Sequence, residues 1–297
     1  MLEIRNISKY FNANLVLDDI SFTINKGRIF GIIGPNGAGK TTTLRILLKI
    51  LTQSSGEILF NNSTLDQQFF NITGYLPEER GLYPKSSVTN ILIYLAQLKG
   101  MKYSEASKKT KYWLNKLNLE EYAKYNIEEL SKGNQQKVQF ISSILHEPQI
   151  LILDEPFSGF DPVNQSIFRE IIEELKNDRY IILSTHLMDL AESLCDDIFL
   201  INNGKKVISG ELKSILQAEN RNIYKISFQK NVDEIDLTVL NQSNILEKNS
   251  NSIQIDISDI NISGFLDKYS EKLKITEFKK VSPSLHQLFI SLVEKKD

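Results

Sequence analysis

Apolar and polar residues alternate along the first part of the chain and then fuse into unbroken runs. "LEIRNI" and "LDDISFTI" carry the every-second-residue pattern of half-buried strands. Ile29 to Gly34 is a continuous apolar run closing on glycine, as in a strand covered on both faces. At Thr41 the period changes: Leu44, Leu47, Leu48 and Leu51 share one face, which predicts a helix over 41–51. "GEILFNN" (56–62) predicts a further strand and turn.

Between about Ser86 and His146 the strand pattern gives way to helical ones: "SVTNILIYLAQLKG", "SEASKKTKYWLNKLNL" and "SKGNQQKVQFISSILHE". A helical subdomain inserted at about 86–146 is expected. Apolar strands return at "QILILDEP" (149–156) and "RYIILSTH" (179–186), with a helix around Gln165–Asn177 between them. This order predicts a parallel sheet with both faces covered. "DDIFLINNGKKVISG" predicts a hairpin turning at Asn203–Gly204. Beyond it the apolar runs shorten. "NIYKISFQ", "NILEKNSNSIQIDI", "ISGFLDKYSEKLKITEFKKV" and "PSLHQLFISLVEKK" predict strand, hairpin, helix, strand and helix. The expected division is a first domain over 1–210 and a small α+β accessory domain, of ferredoxin-like type, over 211–297.

Charge narrows the class of partner. Lys and Arg number 35 against 37 Asp and Glu; residues 211–297 hold 12 and 13 of these, leaving 23 and 24. Neither part is basic, which argues against nucleic acid. No apolar run reaches the roughly 18 residues of a membrane-spanning helix, and no apolar leader follows Met1. A cytoplasmic chain is expected. Cys195, the one cysteine, sits at a helix-to-strand junction and reads as a buried structural thiol.

The chemistry begins at "GIIGPNGAGKTT" (31–42), which holds G-x-x-x-x-G-K-T from Gly34 to Thr41 between a predicted strand and a predicted helix. Backbone amides from Gly34, Pro35, Asn36, Gly37, Ala38, Gly39, Lys40, Thr41 and Thr42 form a phosphate-binding turn, proline contributing shape and no N–H. Lys40 is placed to reach the β- and γ-phosphates of a nucleoside triphosphate, and the Thr41 hydroxyl to ligate Mg²⁺. "ILILDEP" delivers Asp154 and Glu155 at the end of a strand, the first as a holder of Mg²⁺, the second as the base that polarises an attacking water.

At this point the chain resembles the ATP-binding-cassette (ABC) ATPases. "SGFD" looks like their D-loop, with Asp161 its acidic member, and "STH" like their switch, with His186 at the γ-phosphate. Phe11 in "ISKYF" falls where the family stacks an aromatic on adenine, with Tyr10 the neighbouring candidate. His146 and His286 read as structural. "GYLPEERGLYP" stands at the Q-loop, with Glu78 in the glutamine position; it either ligates Mg²⁺ with Arg80 offsetting its charge, or pairs with Arg80 on the surface. "LSKGN" (130–134) stands at the signature, keeping Ser131 and Gly133 but carrying Lys132 and Asn134. Both variants look like a bacterial exporter subgroup of sodium-efflux and antibiotic-resistance type, and the C-terminal region resembles the small domain appended in those proteins.

The resemblance implies an α/β P-loop NTPase fold with an antiparallel β subdomain, a helical subdomain and a C-terminal α+β domain. It implies ATP and Mg²⁺ as ligands, with Lys40, Glu155 and His186 as the catalytic group. It further implies a head-to-tail homodimer in which Ser131, Gly133 and Asn134 complete the partner copy's ATP site. Separate transmembrane permease subunits would hold the protein on the cytoplasmic face of the membrane. The alternative is a soluble ABC ATPase with a regulatory, translational or DNA-associated role.

Overall fold

The computed structural model describes residues 1–297 except 80, 219–222, 236, 238–244, 258–261, 282 and 295–297. It divides into two compact units, Met1–Glu211 and Leu212–Asp297. Strands β1 (Leu2–Phe11), β2 (Asn14–Ile24) and β3 (Arg28–Ile33) lead to helix α1 (Lys40–Leu47). Next come β4 (Ser55–Phe60), β5 (Ser63–Thr64), α2 (Gln67–Asn71) and β6 (Thr73–Leu76). The helical stretch is α3 (Val88–Leu98), α4 (Tyr103–Lys116) and α5 (Lys132–Ile144). The unit closes with β7 (Ile150–Asp154), α6 (Pro162–Leu175), β8 (Tyr180–Thr185), α7 (Met188–Leu194), β9 (Asp197–Asn202) and β10 (Lys205–Glu211).

Two sheets result. One is antiparallel in the order β2-β1-β4-β5; the other runs β10-β9-β3-β8-β7-β6. In the second, only the β9–β10 hairpin is antiparallel. Every residue of β7 and β8 is buried, which is why "ILILD" and "YIILST" show no alternation. Each fully buried Ile or Leu stabilises the fold by about 1.5–3 kcal/mol relative to exposure. The core joins both sheets, from Leu2, Ile7 and Phe22 to Ile152, Ile182 and Phe199.

Several boundaries differ from the pattern-based expectation. α1 ends at Leu47, because Lys49 takes a left-handed φ of 51° that no helix continues through. α6 starts at Pro162, earlier than the apolar period suggests, because Asp161 caps it and proline suits the first helical turn. β7 stops at Asp154, one residue short of Glu155.

The second unit comprises α8 (Leu212–Ala218), β11 (Ile223–Phe228), β12 (Ile245–Lys248), β13 (Ser252–Asp256), α9 (Ile262–Tyr269), β14 (Ile275–Lys280) and α10 (Leu285–Glu294). Its sheet is antiparallel in the order β12-β13-β11-β14, over a core of its own around Ile226, Ile253, Ile255 and Phe265. α8 escaped the pattern because it is short. Among the described residues no helix is long and apolar enough to cross a membrane.

Candidate functional site

The register of the parallel sheet builds the site. Ile33 pairs with Thr185, and Asp154 with Ser184, so β3, β7 and β8 end side by side. The loop after β3, the acidic pair at the end of β7 and His186 after β8 therefore meet at one edge, the carboxyl ends where open α/β sheets bind ligands.

Gly34 opens the loop against the backbone of β9, where an added Cβ would stand 2.1 Å from the Ile201 carbonyl oxygen. Gly39 precedes α1 at a φ of 107°, a conformation that needs glycine, and no side chain caps the helix. The first turn of α1 thus presents free N–H groups, the arrangement that attracts anions. Lys40 is 6% exposed. Its Nζ donates to the carbonyl oxygens of Gly34 (3.0 Å) and Pro35 (3.2 Å) and lies 3.3 Å from Glu155 Oε1.

The acidic pair has two different settings. Asp154 Oδ1 accepts from the hydroxyls of Ser184 (2.6 Å) and Thr41 (3.2 Å), while Oδ2 is buried with no hydrogen-bond partner. Burial pushes the Asp154 carboxyl above the usual carboxylate range; the Ser184 and Thr41 hydroxyls oppose this and the Glu155 charge adds to it. Glu155 sits at a φ of 47°, a strained conformation for a long side chain, with its N–H donating to Ser184 Oγ (3.0 Å). Its Oε1 lies 3.0 Å from His186 Nδ1, without hydrogen-bond geometry.

A cavity of about 310 Å³ opens here, lined by Val16, Asn36, Gly37, Gly39, Lys40, Thr41, Thr42, Glu78 and Glu155. Glu78 thus belongs to the same cavity as the phosphate loop; Arg80, its alternative partner, lies outside the described residues. A larger groove of about 470 Å³ runs between α6 and α7, but its lining offers no glycine loop. Val16 and Ser184 are additions to the expected set. Val16 carries no local signal, because only the placing of β2 brings it to the loop.

Phe11 ends β1 and is 43% exposed, with Lys9 Nζ 4.9 Å from its ring centroid; Tyr10 is 49% exposed. Neither lines the cavity. Ser131 caps α5, its Oγ accepting from Asn134 N–H at 3.3 Å. Gly133 is free of internal constraint: an added Cβ would find only the Phe160 ring, at 4.0 Å. Asp161 caps α6 through the N–H groups of Val163 and Asn164, both at 3.0 Å. Cys195 is buried and its thiol pushed up by burial. Burial, with Lys99 nearby, lowers His146 to about 4, and its Nε2 stands 3.2 Å from the Thr73 carbonyl.

Fold and site together define a P-loop NTPase, its glycine loop set directly beside the carboxylates of Asp154 and Glu155. The profile of the family described as "ABC transporter" matches residues 17–158. The ABC transporter ATP-binding protein MJ1023 of Methanocaldococcus jannaschii is 49% identical over 215 residues, covering 72% of this chain and 79% of its own. The Nod factor export ATP-binding protein I of Cupriavidus metallidurans is 30% identical over 223 residues, covering 74% of each. A solved ATP-binding subunit of an ABC transporter superposes with a TM-score of 0.68 at 31% identity, covering 73% of this chain and 92% of its own. The chain belongs to the ATP-binding proteins of ABC transporters.

Proposed function

We propose that the protein is the ATP-hydrolysing subunit of an ABC exporter, working as a head-to-tail homodimer on separate transmembrane permease subunits at the cytoplasmic face of the membrane. The observation that carries this is the Thr41–Asp154–Ser184 hydrogen-bonded row beside Lys40, with His186 Nδ1 3.0 Å from Glu155 Oε1. Export as the direction is supported by the likeness to a Nod factor export protein.

The donor set fits Mg²⁺. The Thr41 hydroxyl and the unpartnered Oδ2 of Asp154 are hard oxygens, and few protein ligands suffice when phosphates and water supply the rest. When bound, the ion neutralises charge on the β- and γ-phosphates. The loop amides and α1 N-terminus cradle those phosphates, and Lys40 leaves the Gly34 and Pro35 carbonyls to meet them. Glu155 accepts the proton of the attacking water, and His186, 3.0 Å away, orients that carboxylate toward the γ-phosphate. Phe11 offers an exposed face for adenine.

Ser131, Gly133 and Asn134 contribute to the partner copy's nucleotide, and Asp161 lies beside that contact. The openness around Gly133 supports this, since among the described residues only the Phe160 ring, at 4.0 Å, comes near an added Cβ. The test is ATP turnover by the full chain, with co-purification from membranes. Lys40→Ala is expected to lower turnover at least about 100-fold, the scale of losing one transition-state donor. Wild-type turnover in that variant, or no membrane protein co-purifying with the native chain, contradicts the proposal.

A further inference from the structure

Gln139 stands in the middle of α5 between the fully buried Val138 and Phe140, and is itself 4% exposed. A primary amide in that position needs partners, because leaving a buried donor unpaired costs its full desolvation. It finds them in the loop after β6. Its Nε2 donates to the carbonyl oxygens of Pro77 (3.3 Å) and Glu79 (3.0 Å). These two carbonyls flank Glu78, which lines the nucleotide cavity with Lys40, Thr41 and Glu155. One turn earlier, Gln136 Nε2 donates to the Pro156 carbonyl (3.1 Å), next to Glu155. α5 therefore braces both acidic loops of the site.

We propose that Gln139 is a positioning residue that fixes Glu78 at the phosphate end of the cavity. The inference rests on the reading of Glu78 as a nucleotide-site residue. An ionised carboxylate on an exposed loop is repelled by triphosphate and free to swing away from it. Holding the chain just before and just after Glu78 removes that freedom. The grip comes from a buried helix, so the side chain keeps its direction when the anion arrives. A glutamine at position 78 would need no such restraint, because it carries no charge.

The experiment is a double-mutant cycle on the full chain with ATP and Mg²⁺, using Glu78→Ala, Gln139→Met and the pair. ADP affinity and melting temperature without nucleotide are read alongside. Methionine keeps the length of Gln139 and removes both donors. Gln139→Met is expected to lower kcat by about 5–10-fold with KM for ATP within about twofold, and to cost less than about twofold further once Glu78 is alanine. ADP affinity, which involves no γ-phosphate, stays within about twofold throughout. If the methionine variant melts below the assay temperature, Gln139→Asn, whose shorter amide cannot span both carbonyls, is expected to give the same non-additive pattern. Equal fold-losses in both backgrounds, or no loss in the wild-type background, overturn the role of Gln139 while leaving that of Glu78. Wild-type turnover in Glu78→Ala overturns the reading of Glu78 and the proposal with it.

Discussion

Asp154 is the residue at which the site is least comfortable. It is 1% exposed, and burial raises its pKa despite hydroxyls from Ser184 and Thr41. A raised carboxyl pKa means that the folded chain keeps a proton longer than the unfolded chain. The group therefore favours folding at low pH and disfavours it as pH rises through the folded value. Above that value the buried charge is a standing cost until a cation offsets it. Asp154→Asn should accordingly raise the melting temperature of the nucleotide-free protein at neutral pH by roughly 2–4 °C, the shift about 1 kcal/mol gives a domain of this size. The same variant should lose at least about 100-fold in turnover, as stability and activity trade at such a site. A calorimetric scan beside an ATPase assay checks both. Lower stability in Asp154→Asn would mean that the Ser184 and Thr41 hydrogen bonds outweigh the buried charge.

Among the elements, α5 connects the parts of the site. Ser131 caps it, Gln136 and Gln139 brace the acidic loops, and Gly133 leaves its first turn open. Capping and the proposed phosphate contact are separable in Ser131. Ser131→Ala should cost about 1 kcal/mol of stability, the worth of a lost N-cap. Ser131→Asp should keep the cap and the melting temperature, since aspartate caps as well as serine, yet lose turnover about tenfold or more by repelling the partner copy's phosphate. Retained turnover in Ser131→Asp would place this helix start away from nucleotide. The N-terminal signal of α5 was readable, because Ser131 precedes a helical period. Gln139 was not: a glutamine between Val138 and Phe140 looks like the edge of an apolar face until β6 and its loop are packed beside it. β6 itself is only four residues, too short for a period to declare itself. The opposite case is β7 and β8, whose unbroken apolar runs announce a sheet buried on both faces.

At the scale of the whole molecule, the chemistry was legible because it is concentrated in contiguous motifs. Gly34 to Thr42, Asp154 with Glu155, and His186 each stand at the end of a strand, and register alone brings the three strand ends together. What contiguous motifs do not carry is tertiary placement: Val16 at the loop and Ser184 on Asp154 depend on which strands neighbour one another. The proposed nucleotide site reaches beyond one chain. Ser131 and Lys132 start α5 at the surface, where the proposed second copy would meet them. Shared contacts to one γ-phosphate would then hold two copies together while ATP is intact. The most direct measurement is sedimentation of the Glu155→Gln chain, in which hydrolysis is blocked, with and without ATP and Mg²⁺. A shift from monomer to dimer on adding ATP, abolished by Ser131→Asp in the same background, is the predicted result. A species that stays monomeric at saturating ATP would contradict the claim.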